Sequence, residues 1–242
     1  MATGPEFQLL SHVARQWDQI ISELGVLRPT AAAVPEQGYE LFSVSGEKPL
    51  EGSTRLNIAP IALRVPERAK DQRLTLFIAI DGFLYYDTEF FLQHERLRTT
   101  KFGTRAAYFR HVDNRYDHVF GVHFDYSENS LSHPVFHAQF KSLNEMFEIV
   151  KDRFKVVGDA DDCLRNVLGS ARVPSAQLDL FSLMIHIFAD RMIWQDSTDE
   201  EKGAFTRLIS FNKNIQGAGH RFAQFENESV QTCMSSRHWY PL

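Results

Sequence analysis

Period-two alternation between residues 117 and 126 restricts this chain more than any other feature: Phe120, Val122, Phe124 and Tyr126 share one parity, and Gly121, His123 and Asp125 share the other. Successive side chains of a strand point to opposite faces, so such a segment belongs in a sheet with one apolar, covered face. A second run repeats the pattern, with Phe136, Ala138 and Phe140 on the aromatic parity and His137, Gln139 and Lys141 opposite. If the two strands pair directly, either even register sets His123 and Asp125 beside His137 and Gln139 on one face. The connection adds Glu128 and His133, and Pro134 fixes the chain just before the return strand.

The remaining β signals lie upstream. Residues 73–80 and 83–87 flank Asp81 and Gly82, a dipeptide suited to the positive torsions of a type I′ turn, which predicts a hairpin. Pro60 makes residues 55–65 an edge strand or an irregular one, because proline cannot donate to a ladder. Residues 39–44 read as a short strand, and another is expected over 105–111. Helical spacing governs both ends of the chain. Leu10, Val13, Trp17, Ile20, Ile21 and Leu24 form an amphipathic opening helix that ends near Gly25 and Pro29. Ser142 and Glu145 have capping-box spacing before Met146, Phe147, Val150 and Phe154. Ser175 is placed to cap a helix through Trp194, Thr198 and Glu201 repeat the capping box, and residues 212–219 read as a loop.

These elements predict an α+β fold: an antiparallel β-meander sheet with an N-terminal helix and a C-terminal helical layer. A length of 242 residues is near the upper end of what one core organises, so residues 1–242 are expected to form one domain. Within it, residues 7–25 form the N-terminal helix, 39–141 the β-rich region and 142–242 the helical region. Twenty Phe supply an aromatic core. Cys163 and Cys233 stand far apart in no CxxC pattern, which points to reduced thiols and a cytoplasmic setting. No apolar run is long enough to span a bilayer, so no membrane partner is expected.

The formal charge of −5 argues against broad attraction to nucleic acid, whose affinity comes from neutralised phosphates. A local exception is residues 96–115, where Arg105, Tyr108, Arg110 and Arg115 are the candidate RNA- or DNA-binding side chains. The histidine segments carry a second chemistry. His123, Asp125, His133 and His137 have the ligand types of a divalent-metal site, since imidazole and carboxylate suit zinc, manganese or iron. A bound metal would generate a hydroxide nucleophile. Without one, His123 and His137 can serve as general base and acid. The structural alternative is a polar second sheet face whose histidines hydrogen-bond Asp125 and Gln139. Ser182, His186 and Asp190 are spaced for a polar helix stripe rather than a triad, and no nucleotide-binding or EF-hand pattern is complete.

Residues 124–126, 133–139 and 172–180 carry HPxxHxQ and RxPxxQxDL segments that resemble a family of uncharacterised bacterial proteins. The resemblance implies an accessory gene of a mobile element or defence island and transfers no activity to any residue. The leading expectation is a noncatalytic interaction or regulatory protein with a protein partner. The alternatives are a metal-dependent or histidine-based hydrolase or nuclease, and an RNA- or DNA-binding protein.

Overall fold

A computed structural model describes residues 4–27, 32–33, 38–45, 52–69, 72–126, 136–162, 172–174 and 179–216. Helix α1 (Pro5–Leu27) buries Leu9, Val13, Trp17, Ile20 and Leu24, a stripe stepping by three or four residues. After β1 (Ala32–Ala33) comes α2 (Gly38–Leu41) and then β2 (Phe42–Val44). The first half of the expected 39–44 strand is therefore a helical turn. Its start is fixed by the Gly38 N–H, which donates to Asp18 Oδ1 at 2.7 Å. A Cβ on Gly38 would collide with the Ala14 backbone, so only glycine lets α2 approach α1 this closely.

Four long strands form the centre of the sheet. They are β3 (Ser53–Ala69), β4 (Gln72–Asp87), then after α3 (Thr88–His94), β5 (Thr99–Val112) and β6 (Arg115–Tyr126). Strand β7 (Phe136–Phe140) follows, then a 3-10 turn (Asn144–Met146), α4 (Phe147–Phe154), β8 (Ala160–Asp162), β9 (Arg172–Pro174), α5 (Leu180–Arg191) and α6 (Asp199–Gln216). The described strands order as β1-β3-β4-β5-β6-β7-β9, with β2 on β3 and β8 running parallel to β6. From β3 to β7 every neighbour is antiparallel and consecutive, the expected meander.

One face of the sheet carries Leu63, Ile78, Ile80, Phe102, Val122 and Phe124 into a core shared with α1, α5 and α6. On the other face α4 covers one end, where Phe77, Ala107, Phe109 and Tyr116 meet Met146, Phe147 and Val150. The rest of that second face holds the polar residues of the histidine strand. Among the described residues no helix is long and apolar enough to cross a membrane.

Several local expectations change. Asp81 and Gly82 lie inside continuous strand β4, facing Arg105 and Thr104 of β5, and make no turn. The β5–β6 turn is instead Asp113-Asn114, with φ of 47° and 63°, closed by the Val112↔Arg115 pair. Pro60 sits where the β3–β4 register shifts between Ile58 and Ile61, a gap between the stretches paired to β2 and β1. The helical segment expected from Ser142 begins as a 3-10 turn at Asn144, with Leu143 at the cap position, and Asn144 Nδ2 donates to Ala160 O at 2.9 Å. Helix α5 starts at Leu180, with Asp179 Oδ1 accepting from the Ser182 N–H at 2.9 Å, and Ser175 lies outside the described residues. The Thr198–Glu201 box forms in both directions, at 2.8 and 3.2 Å. Helix α6 then continues through residues 212–216, and β8 and β9 arise inside the region expected to be helical.

Candidate functional site

Strands β6 and β7 pair directly, with His123 opposite Gln139 and Asp125 opposite His137. Val122 and Phe124 enter the core, which turns His123 and Asp125 to the second face with side chains 24% and 25% exposed. His123 Nδ1 lies 3.7 Å from Asp125 Oδ2. The imidazole rests over Gly103, where a Cβ would stand 3.4 Å from His123 Nε2 and press on the Phe83 ring.

The inter-strand registers assemble a transverse row that sequence reading did not contain: Asp81↔Arg105, Arg105↔His123, His123↔Gln139 and Gln139↔Arg172. Within it, Arg105 donates through Nε and Nη2 to the two Asp81 carboxylate oxygens at 2.8 and 2.6 Å, and its Nη1 lies 3.7 Å from Glu145. The hydrogen bond to Asp81 holds the Arg105 guanidinium above its usual pKa. A partly buried imidazole beside a carboxylate can accept a proton, and the fixed cation on its other side can steady a developing anion.

Of the four expected metal ligands, His123 and Asp125 are adjacent. The backbone of His137 is opposite Asp125, its side chain lying outside the described residues, as does all of His133. Among the described residues no three His, Cys, Asp or Glu side chains gather as a metal set.

The expected nucleic-acid residues do not share one surface. Arg105 is on the polar face, whereas Tyr108 packs on the helical side, edge-on to Phe120 with ring centroids 5.4 Å apart. Arg110 follows Tyr108 in parity, and Arg115 is exposed beside the β5–β6 turn. The aromatic residues interleaved among these cations are interior: Phe102 and Phe109 are buried in the two different cores. Burial pushes the Tyr108 phenol up to about 12, with Arg191 lowering it and Asp190 raising it.

A different site emerges between α1 and α3. A groove of about 720 Å³ is lined on the α1 side by Phe7, Ser11, His12 and Arg15, and across it by Tyr39, Leu92 and Glu95. Phe7, Tyr39 and Leu92 are 54%, 50% and 45% exposed, and they are three of the four exposed large apolar residues among those described, the other being Val157. His12 sits edge-on to Phe91 at 5.2 Å. Burial lowers its pKa, Arg15 lowers it further and Glu95 partly offsets both. Arg15 Nε donates to Ser11 O at 3.4 Å, and Glu95 ends α3 in the left-handed region at φ 52° with its N–H on Phe91 O. Among the described residues neither side chain has an ion-pair partner, unlike Arg105, Lys151 and Arg207. The sequence carried no distinct signal for this groove, since Phe91 is buried and its neighbour Leu92 exposed, a division that adjacency on a helix does not decide.

No protein-family model, curated protein or solved structure matches the chain.

Proposed function

We propose that the protein is a noncatalytic interaction protein whose α1–α3 groove receives an amphipathic helix of a partner protein. The carrying observation is that Phe7, Tyr39 and Leu92, exposed on three separate helices, line one groove. Isolated exposed apolar side chains are ordinary, but their convergence on a concave surface marks a docking site. A groove between helices suits a helical segment with apolar anchors at i, i+3 or i+4 and i+7. Arg15 on one rim and Glu95 on the other call for an occupant carrying an acidic and a basic residue to match. The resemblance to bacterial accessory proteins favours a partner from such a system.

The test uses a photo-crosslinking residue at Leu92, with Val157, an even more exposed apolar position that does not line the groove, as the control. In extract of the native source, position 92 should capture one defined protein that position 157 does not. Arg15→Glu should abolish the capture. Leu92→Ala should weaken binding of the purified partner by about 1–2 kcal/mol, roughly five- to thirtyfold in Kd. Equal capture at both positions, or capture indifferent to Arg15→Glu, refutes the groove.

A second reading rests on the Asp81–Arg105–His123 row with Asp125 beside it. In it Arg105 faces a phosphate, and either His123 is the general base of a metal-free hydrolase or nuclease, or a divalent metal would be held by His123, Asp125, His133 and His137 and would supply the hydroxide nucleophile. A nucleic-acid-binding role through Arg105, Tyr108, Arg110 and Arg115 has less support, because alternation divides them between the two faces.

A further inference from the structure

The β5–β6 ladder slips once. Tyr108 pairs with Phe120 and the next residue, Phe109, pairs with His118, so Val119 has no partner across the strands. Such bulges re-aim side chains and are frequent beside binding sites. Over this one, the last turns of α5 leave a cavity of about 230 Å³ between helix and sheet. Its lower part is aliphatic, from Leu76 and Ile187, and the aromatic pair Tyr108–Phe120 forms a wall. The mouth is polar, with Asp190 and Arg191 at its rim.

The mouth is chemically specific. Arg191 Nε lies 2.7 Å from Asp190 Oδ2 as an ion pair without hydrogen-bond geometry, so the carboxylate oxygens and both Nη groups keep bonding capacity. An acceptor and a donor therefore stand side by side at the edge of an aromatic wall whose two rings meet at 62°, each offering its own face to a planar ligand. The Tyr108 phenol stays protonated up to about pH 12 and remains a donor throughout the physiological range. Size narrows the choice further. At about 230 Å³ the cavity is below the roughly 300–1,000 Å³ typical of drug-sized ligands, so one or two fused rings fit and a nucleotide does not.

We propose that this cavity binds a small planar heterocycle presenting a donor beside an acceptor on one edge, of the size and chemistry of a free nucleobase. The ring lies against Tyr108 and Phe120, its donor meets Asp190, and its acceptor meets Arg191. This site is independent of the α1–α3 groove, shares no residue with it, and stands whether or not a partner protein docks there.

Adenine, uracil and indole are the probes, titrated into the full chain by calorimetry and by amide chemical shifts. Adenine or uracil should saturate with a Kd of about 1 mM or tighter, with shifts centred on Tyr108, Val119 and Ile187. Indole, equally flat but lacking the paired edge, should bind at least about tenfold more weakly. Asp190 is exposed, so Asp190→Ala should leave the fold intact and weaken the base by about tenfold. Failure of both bases to saturate overturns the proposal. So does indole binding as tightly as the better base, or binding unchanged in Asp190→Ala.

Discussion

Replacing Gly82 by alanine tests the central feature of the sheet. Gly82 has φ of 153°, in a region that L residues rarely adopt, and a Cβ there would collide with the Gly103 carbonyl oxygen and meet Thr104 Cα at 3.1 Å. The neighbouring atoms are backbone of β5, which cannot rotate away as a side chain can. Holding alanine in a sparsely populated region costs roughly 1–3 kcal/mol. Parting β4 from β5 enough to admit the methyl group weakens at least one ladder hydrogen bond, about 1 kcal/mol more. The expected loss is therefore about 2–4 kcal/mol, a large share of the roughly 5–15 kcal/mol that holds a typical domain together. For a chain of this size that lowers Tm by roughly 4–16 °C.

Equilibrium urea unfolding measures the loss as a shift in midpoint at unchanged slope. Two companion variants make the measurement diagnostic. Asparagine readily enters the left-handed region of a type I′ turn, so Gly82→Asn would be tolerated if Asp81-Gly82 were a hairpin turn. In the strand it adds the same Cβ at the same φ and should cost at least as much as alanine. Gly103→Ala meets the Phe83 ring at 2.7 Å, and that ring is only half-buried and can swing aside, so its cost should be smaller. A loss below about 1 kcal/mol for Gly82→Ala, or a benign Gly82→Asn, would refute the continuous strand.

The Tyr108 phenol titrates near 10 when unfolded and is pushed up to about 12 when folded, so the native state binds its proton more tightly and stability falls as pH rises through that window. The shift corresponds to about 2–3 kcal/mol, and Tyr108→Phe should flatten the urea midpoint-against-pH curve of the wild type by that amount; parallel curves would remove the buried-phenol account. For the second functional reading, His123→Ala should abolish any phosphodiester hydrolysis the pure protein displays while leaving unfolding and groove capture unchanged, and persistent hydrolysis in that variant would eliminate His123 as the base.

The sequence was most informative where one strand's own geometry decides the outcome. The 122–125 alternation separates Val122 and Phe124 from His123 and Asp125 as the structure does, because the period of two is intrinsic to an extended chain. It also placed Thr198 and Glu201 correctly, since a capping box is completed within one helical turn. It failed at Asp81-Gly82 because a dipeptide's torsional preference says where a turn can form. Here the close approach of Gly103 makes the same glycine a mid-strand necessity. The α1–α3 groove was hidden because the exposure of Phe7 and Leu92 depends on how two distant helices meet.

His118 locates the boundary between these regimes. By parity it belongs with Phe120, Val122 and Phe124 on the helical side. The unpaired Val119 shifts the register by one, so His118 instead pairs with Phe109 and lies fully buried against its ring at 5.2 Å, on the side covered by α4. A bulge of one residue exchanges the faces of everything beyond it. The Asp81–Arg105–His123–Gln139 row exists because the bulge precedes residue 120 and no further slip separates it from residue 125. Side-chain parity is a local property of each strand, whereas the row is a property of four registers at once. The bulge serves both candidate ligand sites of the sheet: it aims His123 at the polar face and opens the ladder under α5 where Tyr108 and Phe120 form the wall of the small cavity.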